Sequence, residues 1–520
     1  MLTTLITALT IFSGVAFLPA PVVLSTAIAL LASLTLWGVG GSLVWSVLVN
    51  GQMQSAWGIF YLDRLGGFFL AVLVLVGGAV LLNVAGQLRT AAATEAGHDA
   101  AAFPKRAGEV PMSASLGLTL LFLLAMILGL SSRNLGLIWV CVEGTTMISA
   151  LLIGFEHQRA ALEAAWKYII LCTVGLSFSL LGLILLVYAA EISGAVPTLD
   201  PVGLAFLAPQ LPPTVLKLAF LLVLVGFGTK AGFAPLHSWL PDAHSQAPAP
   251  TSALLSAVLL NCSVYAIIRT AGIMSAAGLG ADVRSGMLLF GFVSVLFAAL
   301  FLLVQHDLKR MLAYSSIEHI GLISLGIGIG TPLSIFAALI HTVTHSLAKA
   351  LAFLSAGEMV RTAHSHDMSR MLGMLRRRPA AATGFSLAMT GLAGLPPWPI
   401  FASELLLVWA AIGAGRLWLA MSLLLLLAIA FTGLLYHTVR VVYGDDPHHH
   451  HHHQHKDGLG HQAEPEIPET VATKRESGLI WRDLSMAVLA LMVIATPLLL
   501  LSPAAETIRA VAAVIPGGGL

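Results

Sequence analysis

The sequence predicts an all-α polytopic membrane protein, on three observations. The 520-residue chain is 58% hydrophobic and only 10% charged. Its apolar residues gather into blocks of about twenty, the length at which a helix crosses a hydrocarbon core. The strict apolar–polar alternation of a membrane barrel is absent, and in lipid each remaining segment must satisfy its peptide groups internally, as a helix does.

Fourteen apolar spans start near residues 2, 22, 65, 113, 134, 163, 214, 251, 285, 311, 332, 380, 417 and 484. The first, "MLTTLITALTIFSGVAFL", lacks a basic start and runs through Pro19 and Pro21 into the second, so a retained helix is expected rather than a cleaved leader. Two connections are polar: an Ala-rich stretch over residues 87–112, and residues 444–480 with "PHHHHHHQHKDGLGH". The contiguous His448, His449, His450, His451, His452 and His453 could chelate a metal, but without a fixed acidic or thiol partner they read as a solvated low-complexity loop. Cys141, Cys172 and Cys262 each sit inside an apolar run without paired spacing and read as core filler.

A formal net charge of +1 gives no case for nucleic acid, so basic groups matter by position. About six lie in connections on the face shared by the termini and about sixteen on the other, which predicts termini on the outer (periplasmic) side of the inner membrane. The four left over fall within spans: Lys167, Lys217, Lys230 and Lys349. Lys217 is early enough in its span to snorkel to the surface; the other three lie deeper, where a charge costs about 2.5–3.5 kcal/mol on insertion scales. Acidic counterparts occur mid-span as Glu143 in "LIWVCVEGTTMISALL" and Glu404 in "GLAGLPPWPIFASELLLVW". A carboxylate and an ammonium meeting inside a bundle lower each other's charging cost, so the protonation of one responds to the other.

The eleventh span, "SIFAALIHTVTHSLAKALAFL", spaces His341, His345 and Lys349 four residues apart, which stacks three titratable groups on one helical face. One histidine in a helix is usually a satisfied core residue; three groups in register on an apolar helix read as a water-lined proton path. Lys230 is framed by Gly226, Gly228, Gly232 and Pro235, and Glu404 is preceded by Gly391, Gly394, Pro396, Pro397 and Pro399. Two interrupted spans, one in each half of the chain, point to a midplane ion site; proline kinks alone would leave Lys230 and Glu404 without a reason. Lys167 either joins this network or anchors near the cytoplasmic surface. His237, Asp242 and His244 follow the first break and either gate entry or cap the turn, while Glu318 and His319 open the tenth span toward the cytoplasm.

The stretches "KAGFAPLHSWLPDAHSQAPAPTSALLSAVLLN", "HDLKRMLAYSSIEHIG" and "HTVTHSLAKALAFLSAG" closely resemble the antiporter-like, proton-translocating membrane subunits of respiratory complex I and its relatives, over roughly residues 60–440. Within that family "LPDAHSQAPAP" and "LLNCSVYAIIR" look most like the component F branch of hydrogenase-4 and formate hydrogenlyase. The resemblance implies fourteen helices with two inverted five-helix repeats, each holding a broken helix. Residues 1–112 would then carry the first three helices, 113–274 and 275–443 the repeats, 444–483 the His-rich loop and 484–520 the last helix. It also implies that Glu143 and Lys230 form an ion pair that couples neighbouring subunits, that Lys167, His345, Lys349 and Glu404 hold the family's sixth-, eleventh- and twelfth-helix positions, and that Asn261 replaces an eighth-helix lysine. An amide there takes up no proton, so the central link would run through water or a histidine such as His319.

No cluster-spaced cysteines and no nucleotide loop occur, so no cofactor is expected and redox chemistry would belong to partner membrane subunits. The expected function is proton translocation, or Na⁺ in its place, within a complex I-like or hydrogenase assembly. The alternatives are an Mrp-type Na⁺/H⁺ antiporter subunit, an ion-coupled subunit of an inorganic carbon uptake system, or a scaffold whose charges only hold subunits in register.

Overall fold

Each of the fourteen apolar blocks forms helix. The structure, a computed structural model, describes residues 1–18, 21–97, 112–156, 158–445, 469–501 and 503–518, with the backbone alone for 93–97, 112, 156 and 469–477. The membrane helices are α1 (Leu2–Ala16), α2 (Val22–Leu48), α3 (Arg64–Gly97), α4 (Met112–Leu130), α5 (Leu135–Ile153) and α6 (Arg159–Ile192). There follow α7 (Pro213–Ala231), the short α8 (Trp239–Gln246), α9 (Ala249–Ala276), α10 (Gly280–Leu302), α11 (Leu308–Ile329) and α12 (Pro332–Ala363). The chain closes with α13 (Pro379–Leu392), α14 (Pro399–Gly413), α15 (Leu417–Tyr443), α16 (Glu469–Ala495) and the amphipathic α17 (Ala504–Ala512).

Helix starts follow from local chemistry. The side chains of Asn134 and Asp307 accept the orphan backbone N–H groups opening α5 and α11, Thr331 and Ser334 form a reciprocal capping box before α12, and proline opens α7, α12, α13 and α14, where its missing donor costs nothing. Two features were not expected. The connection after α2 folds into an antiparallel hairpin, Gln54–Ala56 against Phe60–Leu62, and α3 continues to Gly97, so the first part of the expected polar loop is helical. The run His448–His453 lies outside the described residues. All three cysteines are buried and free.

Helices α9 and α11 are buried along most of their length, with α12 nearly so, while α6, α10, α15 and α16 turn exposed leucine, isoleucine and phenylalanine outward as bilayer-facing surfaces. Small residues bring the backbones of α6 and α7 together: Gly175, Ser179 and Gly182 meet Thr229, Gly226 and Val223, and a Cβ at Gly226 would collide with the backbone of Ser179. Gly226→Val is therefore expected to push α7 off α6 at a cost of about 1–3 kcal/mol, read as a lower melting temperature of the detergent-solubilised protein. Toward the other end, α16 is pinned to α12 by the Arg482–Glu358 ion pair at 2.5 Å, both side chains 3% exposed, and to α3 by an Asn83–Ser485 hydrogen bond of 3.0 Å.

Candidate ion-translocation site

The first charged cluster forms where α7 stops. Gly232 adopts φ +82°, and the N–H groups of Gly232 and Phe233 return to the carbonyls of Thr229 and Gly228, closing the helix one residue after Ala231. Lys230 thus occupies the last turn, where the helix dipole favours a cation. Fully buried, its Nζ donates to Thr146 Oγ1 at 2.8 Å and to the Tyr168 hydroxyl at 2.5 Å, and lies 4.5 Å from the centre of the Tyr168 ring. Trp239, whose indole N–H donates to Thr229 O at 2.8 Å, closes the pocket from α8.

Glu143 stands one residue-turn away on α5, half-buried between exposed Val140 and Met147. Its carboxylate accepts from Thr173 Oγ1 at 2.7 Å and from Thr146 Oγ1 at 3.4 Å. Glu143 and Lys230 thus form no direct ion pair of the kind expected; Thr146 lies between them, its hydroxyl accepting from Lys230 and standing 3.4 Å from both Glu143 Oε2 and Val142 O. Lys167 lies apart from both: its 38%-exposed side chain pairs with Glu163 at 2.5 Å and Asp242 at 3.8 Å, and Asp242 also meets Arg310 at 3.4 Å. That half-exposed cluster sits at the surface end of α6, and Lys217 likewise reaches the surface to pair with Asp282.

The second cluster lies on α12. His341, His345 and Lys349 are fully buried, and Lys349 Nζ donates to Leu312 O at 2.8 Å and to Ser315 Oγ on α11. One turn beyond Ser315 on the same helix are Glu318 and His319, also buried. His319 Nδ1 lies 2.9 Å from His341 Nε2, and its ring centre is 5.0 Å from those of both His341 and His345. His341 Nδ1 continues to Ser403 Oγ at 2.8 Å, and Ser403 directly precedes Glu404. The half-buried Glu404 folds its carboxylate over the break between α13 and α14, where a Cβ on Gly394 (φ +71°) would collide with Oε2. Both nitrogens of His345, Nε2 of His319 and Oε2 of Glu318 meet no protein hydrogen-bond partner. Buried polar atoms ordinarily have a hydrogen-bond partner, so these four are the groups of the cluster whose bonding the protein alone does not supply.

Asn261 stands between the clusters. It follows a π-helical turn, Leu255–Leu259, that interrupts α9, and its Nδ2 donates to Ala257 O at 2.8 Å and to Ser346 Oγ at 2.9 Å, next to His345. His244 is fully buried and stacks at 5.0 Å on Phe353, one turn past Lys349, whereas His237 lies edge-on to Phe297 and Tyr314. Sequence reasoning missed Thr146, Thr173, Tyr168, Ser315 and Ser403. Only Thr146, three residues after Glu143, and Ser403, beside Glu404, carried a positional hint.

Residues 132–432, which hold both clusters and both helix breaks, match the family described as NADH:quinone oxidoreductase/Mrp antiporter, transmembrane. The chain belongs to this family. It is an antiporter-like, multi-pass membrane subunit by that membership. It is 38% identical over 331 residues to a hydrogenase-4 component F homolog of Methylacidiphilum infernorum, covering 62% of this chain and 68% of that one. Among solved structures, a subunit of an archaeal membrane-bound sulfane sulfur reductase superposes with a TM-score of 0.74 at 21% identity, over 98% of this chain and 99% of the other. A chain of the Mrp complex from Dietzia sp. superposes at 0.68 and 21% identity, with the same coverage. At such identities the structural likenesses speak for the fold of the antiporter-like family alone.

Proposed function

We propose that this chain is the proton-translocating, antiporter-like subunit of a redox-driven membrane complex, built beside hydrogenase-type or complex I-like partners that carry the electron chemistry. The observation that supports it most is the buried gathering of Lys349, Glu318, His345, His319 and His341 on two facing helices, with Lys349 bonded to Ser315 at one end and His341 to Ser403, beside the half-buried Glu404, at the other. The similarity to hydrogenase-4 component F supports the choice of partner. Residues 113–274 and 275–443 act as two repeats, each with one broken helix, and the termini face the outer side, in keeping with the lysine and arginine excess on the opposite face.

In this mechanism the half-buried Glu143 senses a charge change in a neighbouring subunit and transmits it through the Thr146 hydroxyl to Lys230. A weaker hold on Lys230 lets its proton leave toward the centre, where Asn261 and Ser346 orient the connecting water. Lys349 then passes a proton to the imidazoles. Each histidine accepts a proton on one ring nitrogen and releases one from the other, and its ring then turns to restore the starting tautomer before the next proton arrives. Ser403 hands it to Glu404, which delivers it outward.

The test is Glu404→Gln in the purified complex, reconstituted into vesicles, with protons moved per electron as the readout. The stoichiometry is expected to drop while electron transfer continues. Unchanged pumping would sink the proposal, and transport that requires Na⁺ and persists without electron flow would favour an Mrp-type exchanger instead.

A further inference from the structure

A cavity of about 560 Å³ opens on the bilayer side of the bundle, well away from the titratable file's own face. Its walls are Val44 and Leu48 of α2, Phe68 and Leu75 of α3, and Ile508 of α17, and its floor is Val343 of α12. Thr507 supplies a single hydroxyl among the described lining residues. Trp45, 63% exposed, and Leu498, 60% exposed, stand at the mouth, so the space is open to lipid. A void of this size within ordinary ligand-pocket volumes forfeits dispersion contacts all along its walls, and hydrocarbon is the medium available to fill it.

The groove has a depth and a polar end. Arg64, Phe68, Ala71 and Leu75 follow one another at helical spacing on a single face of α3, so Arg64 stands at the head of the stripe that lines the groove. The lining of α3 from Phe68 to Leu75 spans about 10 Å of helix, and Arg64 one turn further brings the stripe to about 16 Å, close to one leaflet of a hydrocarbon core about 30 Å thick. Arg64 is exposed, its guanidinium folds beside Gly51, and it forms no ion pair among the described residues, because Asp63 next to it is held by Arg269 at 2.5 Å. At the groove's mouth, Trp45 is the aromatic residue expected at a membrane–water boundary, and the amphipathic α17, which also lines the groove, leaves Arg509 and Glu506 exposed.

We infer that this groove is a binding site for one phospholipid, whose acyl chain lies between α2, α3 and α17 against Val343 and whose phosphate is held by Arg64. A neighbouring subunit's transmembrane helix would need a groove through both leaflets, and this one runs through one. A quinone tail would fit the walls but offers nothing to the unpaired guanidinium, which takes a phosphate in bidentate fashion. The floor gives the site a consequence: Val343 lies between His341 and His345 on α12, so the bound chain braces the back of the helix that carries the proton file.

This inference needs only the membrane placement of the chain and stands or falls separately from the proposed function. The test is native mass spectrometry of the intact complex in mild detergent, with dioleoyl phosphatidylglycerol and ubiquinone as separate probes. One phosphatidylglycerol should stay bound per copy of this chain, and Ala71→Trp, which fills the groove, and Arg64→Gln should each reduce its occupancy at least fivefold. Thr507→Trp fills the groove from the opposite wall and serves if Ala71→Trp fails to assemble. Lipid retained equally in these variants, ubiquinone displacing it mole for mole, or a neighbouring protein crosslinked at Trp45→Cys in native membranes would each overturn the assignment.

Discussion

Lys349→Met is expected to stop proton transfer through this chain while leaving the bundle folded. The argument separates the cost of the ammonium from its use. In the native protein it is fully buried, and its hydrogen bonds go to one helix carbonyl, Leu312 O, and one hydroxyl, Ser315 Oγ. Methionine fills nearly the same volume with a flexible apolar chain and removes a charge that is expensive at this depth. The carbonyl keeps its place in the α11 ladder and the hydroxyl rotates to another acceptor, so little stability is lost. The proposed path has no such substitute: without Lys349 the next titratable group on α12 past His345 is Glu358, more than two turns further and held by Arg482, and loss of a positioned proton carrier costs about 10²–10⁴-fold in rate. Lys349→Arg should fail to rescue, since a guanidinium holds its proton at every accessible pH. Proton uptake by vesicles per electron passed is the measurement; a native ratio in Lys349→Met would remove the file from the mechanism.

The groups that declared themselves in the sequence were those whose burial is costly. Lys230, His341, His345 and Lys349 stand out in apolar spans because desolvation forbids them there without a use, and all four are fully buried. The two helix breaks were legible for a backbone reason: glycine and proline cluster where α7 ends and where α13 gives way to α14, and Gly232 and Gly394 both take the positive φ that such stops need. Hydroxyls left no comparable trace. A serine or threonine in a membrane helix satisfies itself on the carbonyl one turn back, as Thr229 does on Val225 O and Thr342 on Ala338 O, so Thr173 and Ser315 look like any other until a partner helix is placed beside them.

Lys167 misled for a related reason. It is as deep by counting as a lysine can be and still escape, and Glu163, four residues earlier on the same face, was the sequence clue to a surface pair. The π-helical turn before Asn261 had no residue signal at all, because it depends on how α9 packs between its neighbours. Without that turn the register of Asn261 toward Ser346 could not be read from spacing.

Lys230→Met and Thr146→Val together decide whether the link to Glu143 is a direct ion pair or a hydroxyl relay. Removing the ammonium is expected to abolish coupled pumping, by a factor on the order of 10², because the proposed path takes its first proton from Lys230 and its neighbours Tyr168 and Trp239 offer only ring faces and hydroxyl oxygen in return. If a direct pair did the coupling, Thr146→Val would matter little, since valine matches threonine in shape and the charges would still meet. The geometry says otherwise. Thr146 Oγ1 accepts from Lys230 at 2.8 Å and donates toward Glu143 at 3.4 Å, so valine deletes both contacts and leaves the ammonium with Tyr168 alone. An uncompensated buried donor of this kind costs about 1–3 kcal/mol, which loosens the setting of Lys230 and weakens its response to Glu143. Thr146→Val should therefore pump at about a tenth of the native ratio, while Thr146→Ser, which keeps the oxygen, should retain most of it. Equal pumping by valine and serine variants would mean that Glu143 and Lys230 communicate by field alone, with the hydroxyl a bystander.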